Sequence, residues 1–103
     1  MKQISIFGAS GSIGQNTLEL IRRDKAAYEV VALTGDQNIA QLVRDVNEFR
    51  PQIVVTADEK LRSELGEALT NTDCEVAAGS EAIAEAASRP TDWVMSSIVG
   101  SAG

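Results

Sequence analysis

A chain of 103 residues with a formal net charge of −6 and no histidine has room for one domain, burying roughly two-thirds of the surface its unfolded chain exposes. The acidic balance excludes attraction to nucleic acid or anionic lipid as a general mode of binding, so an anionic ligand needs a local site. No apolar stretch approaches the ~18 residues of a membrane helix, and the N-terminus runs straight into a strand-like segment, so neither a span nor a secretory signal is expected and the cytoplasm is the default compartment.

The first element is a short apolar strand, Ile4 to Phe7. It is followed by glycines at positions 8, 11 and 14 and by a helical rhythm through Ile13, Leu18 and Ile21 that starts near Ser12. A second strand, Tyr28 to Leu33, precedes a helix marked by Ile39, Leu42, Val43, Val46 and Phe49, with Asn38 as its N-cap and Pro51 after its end. Ile53 to Val55 is the third strand, and Asp58 can cap a third helix carrying Leu61, Leu65 and Leu69. Cys74, the single cysteine, can close no intrachain disulfide and has no zinc-ligand spacing, so it reads as a small buried hydrophobe. A weaker strand signal at Glu75 to Ala77 leads to a helix with Ala82, Ile83 and Ala86, stopped by Pro90. Trp93 to Ser96 is the last strand, with Trp93 assigned to the core or an interface.

Strand and helix alternate throughout, and the strands are nearly continuous apolar runs. This predicts an α/β fold: a Rossmann-like doubly wound parallel sheet with helices on both faces. The closing "SSIVGSAG" is a Gly-rich turn after a strand, where such a fold begins another helix. The 103 residues therefore read as one dinucleotide-binding domain cut short at its C-terminal side.

In that setting the turn "GASGSIG" acquires a chemistry. Gly8 permits the sharp turn off the first strand, Gly11 allows the backbone to approach a pyrophosphate, and Gly14 lets the first helix pack close to the sheet. The phosphate meets free N–H groups at the positive end of a helix, which requires no lysine. Ser10 and Ser12 add hydroxyl donors. The spacing G-x-x-G-x-x-G is one residue longer in its first gap than the usual fingerprint, and no Gly-Lys-Ser/Thr follows, which excludes a P-loop.

The adenosine ribose is expected just past the second strand, at "LTGDQN". An acid there accepts from both ribose hydroxyls, so Asp36 taken alone points to NAD. Asn38 and the amides that open the next helix offer a second anion-tolerant terminus, so the local chemistry leaves NAD or NADP open.

Three stretches together, "MKQISIFGASGSIGQNTLELIRR", "VVALTGDQNIAQL" and "DWVMSSIVGSAG", resemble the N-terminal nucleotide-binding part of the 1-deoxy-D-xylulose 5-phosphate reductoisomerase family. The most specific elements are Gly11 to Gly14, Asn38, and Ile98 to Gly103. The resemblance implies an NADPH-dependent enzyme of isoprenoid precursor synthesis that isomerises and reduces 1-deoxy-D-xylulose 5-phosphate to 2-C-methyl-D-erythritol 4-phosphate. It further implies a divalent metal, Mg or Mn, and a homodimer as the full-length enzyme. Ser10, Gly11, Ser12 and Ile13 would line the pyrophosphate turn, and Asp36, Gln37 and Asn38 would face the ribose and its 2′-phosphate. Many members carry Gly and then Lys or Arg where this chain has Asp36 and Gln37, so a cationic clamp on the 2′-phosphate is missing. The family's metal carboxylates and substrate-phosphate site lie beyond Gly103, and these residues alone are expected to be inactive, with no catalytic or metal-binding residue among them.

Two alternatives share the turn: the cofactor domain of another oxidoreductase, such as a semialdehyde dehydrogenase, and a non-catalytic nucleotide-sensing module. Glu81 and Glu85 stand at i, i+4 and read as a solvated helix face rather than, with Asp92, a metal cluster. Ser96 and Ser97, at the carboxyl end of a parallel strand, are candidates for a supporting cofactor contact.

Overall fold

A computed structural model describes residues 2–8, 12–35 and 37–96, without the side chains of Ser12 and Ile13. Five strands and four helices alternate: β1 (Lys2–Phe7), α1 (Ser12–Arg22), β2 (Tyr28–Gly35), α2 (Ile39–Phe49), β3 (Ile53–Thr56), α3 (Arg62–Ala68), β4 (Glu75–Ala78), α4 (Ser80–Ser88) and β5 (Trp93–Ser96). The weak signal after Cys74 is therefore a full strand of the sheet.

All described pairings are parallel, in the order β4-β3-β2-β1-β5. From β1 to β4 the chain steps one strand at a time in one direction, so right-handed crossovers set α1, α2 and α3 on one face. The return from β4 to β5 sets α4 on the other. The core divides accordingly. Ile4, Ile6, Leu33 and Val54 pack with Leu18, Ile21, Leu42, Val46 and Leu65 of the three helices. Phe7, Ala32, Ile53 and Val55 pack with Ala86 of α4. Leu18, Leu33, Leu42 and Leu65 are fully buried, each contributing about 2 kcal/mol of apolar transfer. The two faces explain why the strands read as unbroken apolar runs: both sides of each strand need a hydrophobe.

The helix ends follow from local chemistry. Asn38 accepts a hydrogen bond from the Gln41 amide, 3.1 Å, as an N-cap does. α2 ends where Arg50 takes a left-handed conformation, φ 52°, immediately before Pro51. Asp58 accepts from the Lys60 amide at 3.0 Å, capping a 3-10 turn, Glu59–Leu61, that leads into α3.

Two expectations are corrected. Cys74 is half-buried rather than sealed in the core, because it sits just ahead of β4 at the rim of a cavity; its partial burial pushes the thiol up to about 11. Trp93 is 48% exposed, since β5 is the last described strand on its side of the sheet, which overturns the core half of its assignment and not the interface half. The indole meets Tyr28 at 6.0 Å between ring centroids and lies under the Lys2 ammonium. Val94 and Met95 are exposed beside it.

Candidate functional site

A parallel sheet has one end where all strands finish, and ligands bind outside that end where the strand order reverses. Here the reversal falls between β1 and β5, whose carboxyl ends, Phe7 and Ser96, lie side by side in register. Gly8 follows β1 at that point. Gly8 has φ 81°, a left-handed backbone that an L side chain resists. Its N–H donates to both the Thr34 carbonyl at 3.1 Å and the Thr34 hydroxyl at 3.0 Å. Thr34, almost fully buried on β2, thus fixes where the turn begins. Sequence reasoning missed it; the signal was a lone hydroxyl closing the apolar run Val30 to Leu33.

Beyond the turn, α1 starts at Ser12 with no acidic residue in its first turn, and Gly14 within that turn is buried. The first turn of α2 is also free of acids, whereas α3 and α4 carry Glu64 and Glu81 there. Among the described helices, α1 and α2 are thus the two whose first turns carry no carboxylate to offset the positive end. This donor set suits an anion such as the phosphates of a dinucleotide.

The second helix is held close to the sheet. A Cβ on Gly35, the last residue of β2, would lie 2.8 Å from Leu42 Cδ2 and 3.0 Å from Leu42 Cγ, so glycine is what lets α2 lie so near the end of β2. Gln37 and Asn38 are exposed there. Two amides of that terminus are already engaged: Ile39 donates to the Gln37 carbonyl at 2.9 Å and Gln41 to the Asn38 side chain. Donors for a ligand at this point are chiefly the side-chain amides of Gln37 and Asn38. Of the other residues singled out from sequence, Ser12 and Ile13 stand as the first residues of α1, while Ser10, Gly11, Asp36 and Ser97 lie outside the described residues, as does the closing 97–103 segment.

α1 and α2 are joined at both ends. Far from the candidate site, Arg22 pairs with Glu48, holding that carboxyl below its ordinary range. Near the site, Asp45 is 2% exposed and accepts from Gln15 Nε2 at 3.0 Å and Gln41 Nε2 at 3.2 Å. Gln41 Nε2 also reaches Gln15 Oε1 at 3.2 Å. Burial raises the Asp45 carboxyl above its ordinary value, opposed by the two glutamine bonds.

Residues read as bland remain so. Glu81 is exposed, and Glu85 pairs with Arg89 on the surface. Asp92 accepts from the Gln3 amide at 2.8 Å, tying the start of β5 to β1. Among the described residues no group of three His, Cys, Asp or Glu could hold a metal, and no helix is long and apolar enough to cross a membrane. A cavity of about 420 Å³ lined by Val46, Arg50, Gln52, Thr72 and Cys74 opens at the amino ends of β3 and β4, away from the candidate site.

The family model for 1-deoxy-D-xylulose 5-phosphate reductoisomerase matches residues 4–103. Reductoisomerases of Ruegeria sp. (strain TM1040) and Jannaschia sp. (strain CCS1) are each 56% identical over 103 and 102 residues, covering 100% and 99% of this chain. The chain spans about a quarter of their length, 26% in both cases. Among solved structures, the enzyme from Zymomonas mobilis in complex with NADPH superimposes with a TM-score of 0.88 at 39% identity, covering 90% of this chain and 24% of that one. A second reductoisomerase, in complex with NADPH, fosmidomycin and magnesium, gives 0.85 at 31% identity, covering 91% of this chain and 24% of that one.

Proposed function

The chain belongs to the 1-deoxy-D-xylulose 5-phosphate reductoisomerase family, and from that premise we propose that residues 1–103 are the NADPH-binding part of such an enzyme. Family membership favours this reading over a semialdehyde-dehydrogenase-like domain or a nucleotide sensor. The observation that carries it is Gly8 at the β1–β5 switch point, left-handed and pinned by Thr34 ahead of a helix whose first turn has no acid.

The pyrophosphate binds across Ser10, Gly11, Ser12 and Ile13, where backbone N–H groups and the α1 terminus supply the positive potential. The adenosine ribose and its 2′-phosphate face Asp36, Gln37 and Asn38. With no cation in that set, the phosphate is held by amide donors and the α2 terminus, and Asp36 turns away from it. Preference for NADPH over NADH is accordingly modest. The full-length protein converts 1-deoxy-D-xylulose 5-phosphate to 2-C-methyl-D-erythritol 4-phosphate in isoprenoid precursor synthesis, as a cytoplasmic homodimer. When bound, NADPH supplies the hydride and Mg or Mn the Lewis acid; the metal's ligands and the catalytic groups lie outside these residues.

The test is a fluorescence titration of NADPH into the full-length protein and its Gly11→Val variant. A branched Cβ at the pyrophosphate should weaken binding at least about tenfold with thermal stability unchanged. Equal affinity in the two proteins would show that the phosphate is held elsewhere.

A further inference from the structure

We propose that the half-buried triad Gln15–Gln41–Asp45 is a positioning device that sets the spacing between the two helix termini and thereby the discrimination of NADPH from NADH. The inference rests on the cofactor reading above and goes beyond it, since none of these side chains belongs to the phosphate turns themselves.

Three observations support it. The first is placement: Gln15 lies in the first turn of α1, Gln41 in the first turn of α2, and Asp45 one turn further along α2. The triad therefore bridges the helices at the end that faces the cofactor. It also continues outward, because the backbone of Gln41 donates to the Asn38 cap and the Gln41 side-chain carbonyl accepts from Arg44 at 2.8 Å. Gln41 thus links Asp45 to Asn38, by its side chain to the one and its backbone N–H to the other.

The second is energetic. A carboxylate 2% exposed whose bonds come from the neutral amides of Gln15 and Gln41 is a poor device for stability, since an apolar side chain of similar volume packs there at no desolvation cost. The third is geometric. Apolar packing between helices tolerates sliding, whereas the three hydrogen bonds, each between 3.0 and 3.2 Å, fix direction as well as distance. Because the pyrophosphate is referenced to α1 and the 2′-phosphate to α2, an error in their spacing is felt by a ligand carrying both groups. NADH, which lacks the 2′-phosphate, is spared.

The experiment measures dissociation constants for NADPH and NADH by fluorescence titration in the full-length protein and its Asp45→Leu, Gln15→Leu and Asp45→Asn variants, with thermal midpoints alongside. Asp45→Leu is expected to keep or raise the midpoint while lowering the NADPH-over-NADH preference about five- to tenfold, the loss of a hydrogen bond's worth of affinity. Gln15→Leu should move the ratio the same way, and it carries the test should Asp45→Leu fail to fold. Asp45→Asn, which with the Gln15 amide turned over keeps a bond to each glutamine and gives up the one between Gln41 and Gln15, should bring the ratio part of the way back, to within about threefold of wild type. Equal weakening of both cofactors, or an unchanged ratio in both leucine variants, would make the triad merely structural and overturn the inference while leaving the cofactor site standing. Wild-type protein that binds neither cofactor would overturn the cofactor reading and this inference with it.

Discussion

Asp45 carries a pH signature of its own. Desolvation raises its carboxyl above 3.8, against the lowering bonds from Gln15 and Gln41, with Glu48 raising it further and Arg44 lowering it. The folded state therefore binds this proton more tightly than the unfolded state, and its contribution to stability falls as pH rises from 3.8 through the raised value. Glu48 and Glu85, lowered by Arg22 and Arg89, act in the opposite sense: what they contribute is present above 4.5 and lost as pH falls. The Asp45→Asn variant lacks the first effect and keeps the second. Its urea midpoint relative to wild type should therefore rise between pH 4 and pH 7, and a difference independent of pH would remove the case for a buried, raised carboxyl. Gln37 is the other residue with a clear expectation. Supplying the missing cation, Gln37→Arg should tighten NADPH about three- to tenfold with a steeper dependence on salt, and leave NADH nearly unchanged, as titration at two ionic strengths will report.

At the scale of elements, the contact between β2 and α2 is the one with least slack. Gly35→Ala drives a methyl carbon to within 3.0 Å of three atoms of Leu42, and an overpacked contact of this kind costs about 1–3 kcal/mol. Because Leu42 belongs to the first turns of α2, the helix is pushed off the strand at the end where Asn38 sits. The expected result is a lower unfolding midpoint together with weakened NADPH binding, while Gly66→Ala, where a Cβ meets nothing within 4 Å, leaves both unchanged or improved. Equal behaviour of the two variants would mean that Leu42 relaxes into free space. Periodicity and caps made these elements readable. Asn38 as a cap, Pro51 and Pro90 as stops and β5 at Trp93–Ser96 all follow from local chemistry. The strand after Cys74 was only faintly legible, because four residues reading Glu-Val-Ala-Ala carry little β-propensity and become a strand through pairing with β3.

At the scale of the whole molecule, among the described residues three helices cover the α1–α2–α3 face while α4 alone packs on the other. That leaves β5 with Trp93, Val94 and Met95 exposed. Ser5, buried on β1 next to Val94, has no hydrogen-bond partner for its hydroxyl among the described residues. The chain spans about a quarter of its relatives, and the 103-residue polypeptide by itself should not turn over deoxyxylulose phosphate at any Mg or Mn concentration. Oxidation of NADPH by the purified polypeptide, dependent on that substrate, would defeat this expectation.

By itself the sequence determined the order of strands and helices, the parallel α/β class, the glycine turn and the family resemblance, because these depend on short-range periodicity, caps and backbone freedom that are written locally. Only the tertiary structure decided that Gly8 leaves β1 at a switch point between β1 and β5, that Thr34 holds Gly8, that Trp93 and Cys74 escape full burial, and that Gln15, Gln41 and Asp45 meet. Asp45, three residues after Leu42 and one before Val46, lay on the inward face by the 3.6-residue period, yet its partner Gln15 stands 30 positions away. A residue's own neighbours specify what kind of element it joins; which distant side chain it will face is fixed by the stacking of elements, which no local pattern records.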